Sequence, residues 1–380
     1  GIPVTAVETE QMALDRGMGM IEKNYQGMVD RGRIDPAEMT RRLGLISTSL
    51  DYGSAGEADL IIEAAFEDLD LKKKIFAQLD GVAKPGTILA TNTSYMDINQ
   101  IAAATDRPED VIGLHFFVPA NVMKMLEVVR TNTSSPEAIA TGMRVARRFG
   151  KVGGLAGVSH GFVANRSRAP LVREAIFLVE EGASPAQVDQ VLREFGMPMG
   201  VLAVSDLSGI DVSWRMRQSL AHLRDPEERY VHLADQLCEL GRFGRKTGKG
   251  WFSYGDGGSL PVSDPEVDKI AAVVAAKQGI ERRQIDDTEI LDRCLYAAVN
   301  EGVKIVEEGV ALRASDIDIM WQYGFGFPRW RGGIMYHADR VGLPEVLARV
   351  EEFHEAHGKL WEPSALLREL AASGGSFTGA

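Results

Sequence analysis

The chain has 380 residues, 45% of them hydrophobic and 25% charged, enough for two or three domains and a substantial core. A formal charge of −12 argues against nucleic acid as the main partner, and no apolar run reaches the eighteen residues a membrane span needs. The two cysteines, Cys238 and Cys294, have no metal-ligand spacing and no dense disulfide pattern, which suits a reducing compartment and implies no metal.

Strand-like and helical runs alternate through the first 158 residues. "PVTAVE" (3–8), "ADLIIEAAF" (58–66), "GTILATN" (86–92) and "DVIGLHFF" (110–117) are apolar and rich in strand formers, with amphipathic helical patterns at 67–83 and 135–149 between and after them. Continuous apolar strands alternating with helices predict a doubly wound α/β domain built on a parallel sheet. From 161 to 223 the pattern is helical, broken at "EEGASP" and "GMPMG". The Gly-rich "GRFGRKTGKGWFSYGDGG" (241–258) reads as a boundary, and 265–380 is helical again. The expected domains are 1–158, 159–258 and 259–380.

The two helical regions resemble each other. Glu174 and Glu301 are 127 residues apart, as are Gly182 and Gly309. After a two-residue insertion Asp189 matches Asp318, and both regions then reach Gly-x-Pro. So long an ordered series predicts a duplicated helical unit.

Several residues are candidates for chemistry. Glu8 ends the first strand, where a carboxylate in dinucleotide-binding folds bonds the ribose hydroxyls and repels a 2′-phosphate. The Gly-rich phosphate loop that ordinarily precedes such a strand is not in the sequence, so the domain is expected to lack its first βα unit and to bind NAD poorly by itself. In "IIEAAFED", Glu67 and Asp68 complement a helix dipole, or Ala64 and Ala65 let backbone approach a cofactor while Glu67 meets a ribose. "ATNTSY" (90–95) ends another strand with Asn92, Thr93 and Ser94, which cap the next helix, face a ligand, or do both. His115 and Glu127 stand twelve residues apart in the otherwise apolar "GLHFFVPANVMKMLEVV" (113–129). A lone strand histidine is usually a satisfied core residue, but a buried unpaired carboxylate is expensive. If the two share neighbouring strands, the carboxylate orients an imidazole that acts as general base. Asn165, near the start of the first helix past the α/β region, is a helix-start polar residue or an amide that holds a substrate oxygen.

Together these stretches resemble the 3-hydroxyacyl-CoA dehydrogenase family, and within it the dehydrogenase part of multifunctional β-oxidation enzymes. "TNTS", "GLHFF…P…VMK..EVV", "GF..NR", "GRKTGKGWF" and the tail "GFGFPRWRGG" occur in the family's order across essentially the whole chain. The resemblance implies a Rossmann-type domain with two related all-α domains, NAD as cofactor, an acyl-CoA substrate and oxidation of a (3S)-3-hydroxyacyl-CoA. It implies His115 as base, Glu127 as its partner, and Ser94 and Asn165 at the reacting oxygen. Around the cofactor it implies Glu8, Glu67, Lys72 and Lys246, to which the residue pattern itself adds Ala64, Ala65, Asn92 and Ser94, with Asn24 and Arg31 near the acyl-CoA. An enoyl-CoA hydratase domain is expected upstream, and a bacterial cytoplasm as location. Two positions depart from the family pattern: Val118 replaces an asparagine in "HFFVP", and His160 replaces a proline in "SHGF". The competing readings are another two-domain NAD(P) dehydrogenase of hydroxy acids and a non-catalytic acyl-CoA-binding or assembly module.

Overall fold

The computed structural model describes residues 1–255, 258 and 260–379. The expected boundary at 258/259 borders Asp256, Gly257 and Ser259, which lie outside the described residues. The chain divides into two compact units, residues 1–115 with 128–145, and residues 116–127 with 146 onward.

The first unit opens with β1 (Val4–Val7), α1 (Gln11–Asp30), α2 (Pro36–Leu43) and β2 (Ile46–Ser49). It continues through β3 (Leu60–Glu63), α3 (Leu69–Val82), β4 (Ile88–Thr91), α4 (Ile98–Ala102) and β5 (Val111–Phe116). Strand β6 (Met125–Arg130) and helix α5 (Pro136–Arg148), each divided between the two units, and β7 (Val152–Gly157), in the second unit, complete the alternation along the chain. Strands β3, β4 and β5 pair in parallel, with Glu63 opposite Thr91 and Thr91 opposite Gly113. Leu89, Ile112 and Leu114 are fully buried, because sequential parallel strands need crossover helices that cover the sheet. Gly113 permits that packing: a Cβ there would lie 2.5 Å from Ile98 Cδ1 and 2.8 Å from Val129 Cβ. Strands β1 and β2 pair in parallel as a separate two-stranded sheet. The four residues of β2, "ISTS", carry too little apolar signal to be read as a strand from sequence.

The second unit is mainly helical. Its first run is α6 (Ala164–Glu181), α7 (Pro185–Phe195), α8 (Val201–Ser208), α9 (Ile210–Ser219) and α10 (His232–Glu239). A small antiparallel pair, β8 (Phe252–Ser253) with β9 (Val262–Ser263), leads into α11 (Pro265–Lys277). Then come α12 (Asp287–Glu307), α13 (Ala314–Gly324), α14 (Ile334–Val341), α15 (Leu343–His357) and α16 (Ala365–Ser373).

Helices α6 and α12 exchange matched ion pairs. Arg166 Nε donates to Glu301 Oε1 at 2.6 Å, and Arg293 Nη2 donates to Glu174 Oε2 at 2.9 Å. Both arginines and both glutamates are 127 residues apart, so each helix gives the other what it receives. This is the self-complementary pattern of a two-fold interface, within one chain. The aspartates match too. Asp189 accepts from the N–H groups of Leu202 and Ala203 at the start of α8, both at 2.9 Å. Asp318 accepts from Met335 N at 2.7 Å and Tyr336 N at 3.2 Å at the start of α14. Burial outweighs the helix N–H donors and leaves the Asp318 carboxyl raised to about 7.

Candidate functional site

In the first unit, the carboxyl ends of β3 and β4 are tied together by a buried acid and a buried lysine. Lys72, on α3, is only 1% exposed. Its ammonium lies 2.7 Å from Glu63 Oε1 and 3.6 Å from Glu67 Oε2. Glu63 also accepts from Ala65 N at 2.6 Å and, through its other oxygen, from the Thr91 hydroxyl at 2.7 Å. Every lone-pair direction of a buried carboxylate needs such a donor. Glu67 accepts from the Thr93 hydroxyl at 2.5 Å and from Ser94 N at 3.1 Å. It therefore clasps the "TNTS" loop, while Asp68 caps α3 through Leu71 N at 2.8 Å.

Capping of α4 is not done by Asn92, Thr93 or Ser94. That helix starts at Ile98, and Asp97 accepts from Asn99 N at 3.0 Å. Thr93 instead closes its own loop by accepting from Met96 N at 3.1 Å. Glu63 is a member of the network that the sequence reading did not single out; an acid ending an apolar strand is its signal.

Ala64, Ala65 and Phe66 line an exposed rim at the end of β3, with Phe66 86% exposed. Glu8 is exposed at the end of β1, where its carboxylate accepts from Thr9 N at 3.3 Å. Open backbone beside small side chains and a free-standing strand-end carboxylate fit the ribose hydroxyls of a dinucleotide. Asn24 lies on the exposed face of α1, and Arg31 follows that helix, also exposed. His115 is buried at the end of β5, 6% exposed. It shares a strand face with Gly113, two residues earlier.

In the second unit, Glu127 is fully buried and accepts from Val163 N at 3.2 Å and Ala164 N at 2.9 Å. These are N–H groups at the start of α6, which a helix leaves without internal partners. The turn before them is tight. Gly161 and Phe162 have φ of +78° and +51°, and the Ser159 hydroxyl donates to Phe162 O at 2.8 Å. A phenylalanine in the left-handed region is strained, and such strain collects where surroundings dictate the backbone. Asn165 follows directly and is half-buried. Val118 is 88% exposed, so an apolar group stands where the family has an amide.

Lys246 belongs to the same unit, half-exposed, and forms an ion pair with the buried Asp211 at the start of α9. Its loop is held by Asp206, which accepts from Trp251 N at 2.9 Å, Phe252 N at 3.0 Å and the Tyr254 hydroxyl at 3.0 Å. Among the described residues no cluster of three potential metal-ligating side chains occurs.

A parallel α/β unit with acids, amides and hydroxyls at the carboxyl ends of its strands has the architecture of a dinucleotide-binding protein. Known proteins narrow the class. Residues 1–155 match the family model described as 3-hydroxyacyl-CoA dehydrogenase, NAD binding domain, and residues 161–254 and 290–378 match 3-hydroxyacyl-CoA dehydrogenase, C-terminal domain. The chain belongs to the 3-hydroxyacyl-CoA dehydrogenase family and carries that family's NAD-binding domain. Among its relatives, the peroxisomal bifunctional enzyme of Danio rerio is 43% identical over 390 residues, covering 98% of this chain and 53% of that protein. The fatty acid oxidation complex subunit alpha of Psychrobacter sp. (strain PRwf-1) is 34% identical over 382 residues, covering 99% of this chain and 53% of that protein. The chain thus spans about half the length of the curated relatives it matches. Among solved structures, 3-hydroxybutyryl-CoA dehydrogenase of Escherichia coli K12 superposes with a TM-score of 0.84 at 27% identity, covering 98% of this chain and 94% of that one. The dehydrogenase part of multifunctional enzyme 1 from C. elegans gives 0.68 at 27%, covering 97% and 84%. No described helix is long and apolar enough to cross a membrane.

Proposed function

We propose that the chain oxidises (3S)-3-hydroxyacyl-CoA to 3-oxoacyl-CoA with NAD, as a step of fatty-acid β-oxidation. The observation that carries this is His115, a buried imidazole in an otherwise apolar strand of the family's NAD-binding domain. NAD, when bound, supplies the hydride acceptor. His115 takes the proton from the C3 hydroxyl, and Glu127 orients the imidazole. Glu127 suits that task because two N–H groups of α6 fix its carboxylate. Ser94 and Asn165 hold the substrate oxygen. Ala64, Ala65, Glu67, Lys72, Asn92 and Lys246 serve the cofactor, and Asn24 and Arg31 the acyl-CoA. A non-catalytic acyl-CoA-binding role would not need an imidazole buried at a strand end.

The test is reduction of acetoacetyl-CoA by NADH, measured on the chain extended upstream and followed as loss of NADH absorbance. Turnover that requires both the thioester and NADH is expected. Activity on free hydroxy acids but not on CoA esters would overturn the substrate class.

Glu8 is expected to favour NAD over NADP, since a strand-end carboxylate repels a 2′-phosphate. The kcat/KM for NADH should exceed that for NADPH, and Glu8→Gln should narrow the ratio. Equal values for the two cofactors on the chain extended upstream, with Glu8 unchanged, count against this role.

The boundaries 158 and 258 are proposed as the domain limits, with the third domain a duplicate of the second; the matched ion pairs of α6 and α12 support that. A reducing bacterial cytoplasm is the proposed location, supported by the buried free thiols of Cys238 and Cys294.

A further inference from the structure

The two helical stretches share a frame up to one point. After Gly196-Met197-Pro198 the first has only Met199 before Gly200. After Gly326-Phe327-Pro328 the second has Arg329, Trp330, Arg331 and Gly332 before Gly333. Gly200 and Gly333 play the same part. A Cβ on either would fall 2.2 Å or 2.3 Å from the Cβ of Asp189 or Asp318, the aspartates that hold the next helix. The prolines are reciprocal as well: a Cβ on Gly196 would lie 3.1 Å from Pro328, and one on Gly326 would lie 2.7 Å from Pro198. The first stretch closes this frame with one residue, so the added Arg-Trp-Arg-Gly turn is not needed to build it.

What the insertion creates is an ordered but exposed aromatic among cations. The Arg331 guanidinium contacts two rings, 4.2 Å from the Phe195 centroid and 4.1 Å from that of Trp330. Its Nε donates to Phe195 O at 3.0 Å, which fixes the stack. Trp330 is nevertheless 73% exposed, whereas Trp251, Trp321 and Trp361 are buried. Tyr336 lies over Gly332, where a Cβ would come within 2.2 Å of the ring. With His337 and the exposed Arg340 these residues line an open cleft of about 470 Å³. Among the described residues, neither Arg331 nor Arg340 has a carboxylate partner.

In a protein of charge −12, unpaired guanidinium groups gathered round an exposed indole mark an anionic ligand. Guanidinium recognises phosphate through paired N–H donors. An ordered indole face stacks a planar base at little entropic cost. We propose that this cleft binds a phosphorylated purine nucleotide, either free or as the adenosine-phosphate end of a CoA thioester. The site stands apart from the dehydrogenase reading and does not depend on it.

Calorimetric titration of the full chain with adenosine 3′,5′-bisphosphate, CoA, adenosine and pyrophosphate tests this, with Trp330→Ala, Trp330→Phe and Arg340→Glu as variants. Trp330 and Arg340 are exposed, so unchanged unfolding temperatures are expected. The bisphosphate should bind with quenching of tryptophan fluorescence. Trp330→Ala or Arg340→Glu should weaken it about tenfold or more, and Trp330→Phe should retain most of the affinity. CoA binding at least as tightly as the bisphosphate identifies a CoA ligand, and CoA excluded while the bisphosphate binds identifies a free nucleotide. Isotherms unaffected by Trp330→Ala and Arg340→Glu overturn the proposal, because any binding then occurs elsewhere. Pyrophosphate binding as tightly as the bisphosphate overturns it too, leaving a plain anion patch. So does self-association that depends on Trp330 and ignores nucleotide, which would make the surface a protein contact.

Discussion

His115→Gln is expected to lower kcat by roughly 10²–10⁴-fold, the usual contribution of a positioned acid–base group. Glutamine keeps a comparable polar shape at the buried strand end, so folding should survive while proton transfer does not. KM for acetoacetyl-CoA should change little, because the imidazole is assigned to the transferred proton and not to binding of the thioester. Glu127→Gln separates the partner's role from the base's. Both α6 N–H groups donate to Oε1, which the amide keeps, so the change removes the negative charge and leaves their acceptor in place. Turnover should therefore fall more steeply than the midpoint of unfolding. A His115→Gln protein with near-normal kcat would remove His115 from the mechanism, and the reading of the buried pair with it.

His115 and Glu127 were legible as candidates because both violate the apolar pattern of residues 113–129. Strands β3 to β5 were legible for the converse reason: uninterrupted apolar runs obey a local rule. What escaped was long-range. Lys72 sits in "LKKK", a sequence that looks like solvated helix surface, and its burial follows from its pairing with the buried Glu63 on β3 and with Glu67. Asn92, Thr93 and Ser94 do not cap the next helix because α4 begins four residues past Ser94 and Asp97 takes the cap position. Arg293 offered no signal at all in "LDRCLY", since its partner Glu174 lies 119 residues away. The matched glycines and aspartates pointed to a repeat, yet the arginines that join α6 and α12 differ in surroundings from one helix to the other.

That difference sets the second large effect. Arg293 is fully buried on α12 and divides its donors between two buried carboxylates. Nη2 lies 2.9 Å from Glu174 and 3.0 Å from Glu181, and Nη1 lies 2.5 Å from Glu181. Burial alone would push the Glu181 carboxyl up, but the Arg293 and Arg229 guanidinium groups outweigh it and hold it at about 2. A carboxylate with a depressed folded pKa stabilises the fold above its unfolded value, and that stability drains away as pH falls through the folded one. The helical unit should therefore lose stability from about pH 4.5 down to about 2. Arg293→Ala leaves two buried charges short of their cation, which costs on the order of 3–5 kcal/mol. Urea unfolding followed by tryptophan fluorescence reads this, since Trp321 donates to Ser167 on α6 at 2.9 Å. Arg166, the counterpart 127 residues earlier, makes the same contact with Glu301, but it also reaches the half-exposed Glu308 and is itself partly solvated. Arg166→Ala should cost only about 1 kcal/mol, as water screens what the interior does not. The triple change Arg293→Met, Glu174→Gln and Glu181→Gln removes charge from both sides and should destabilise less than Arg293→Ala alone. Equal losses from Arg166→Ala and Arg293→Ala would mean that burial does not set the strength of these twin contacts.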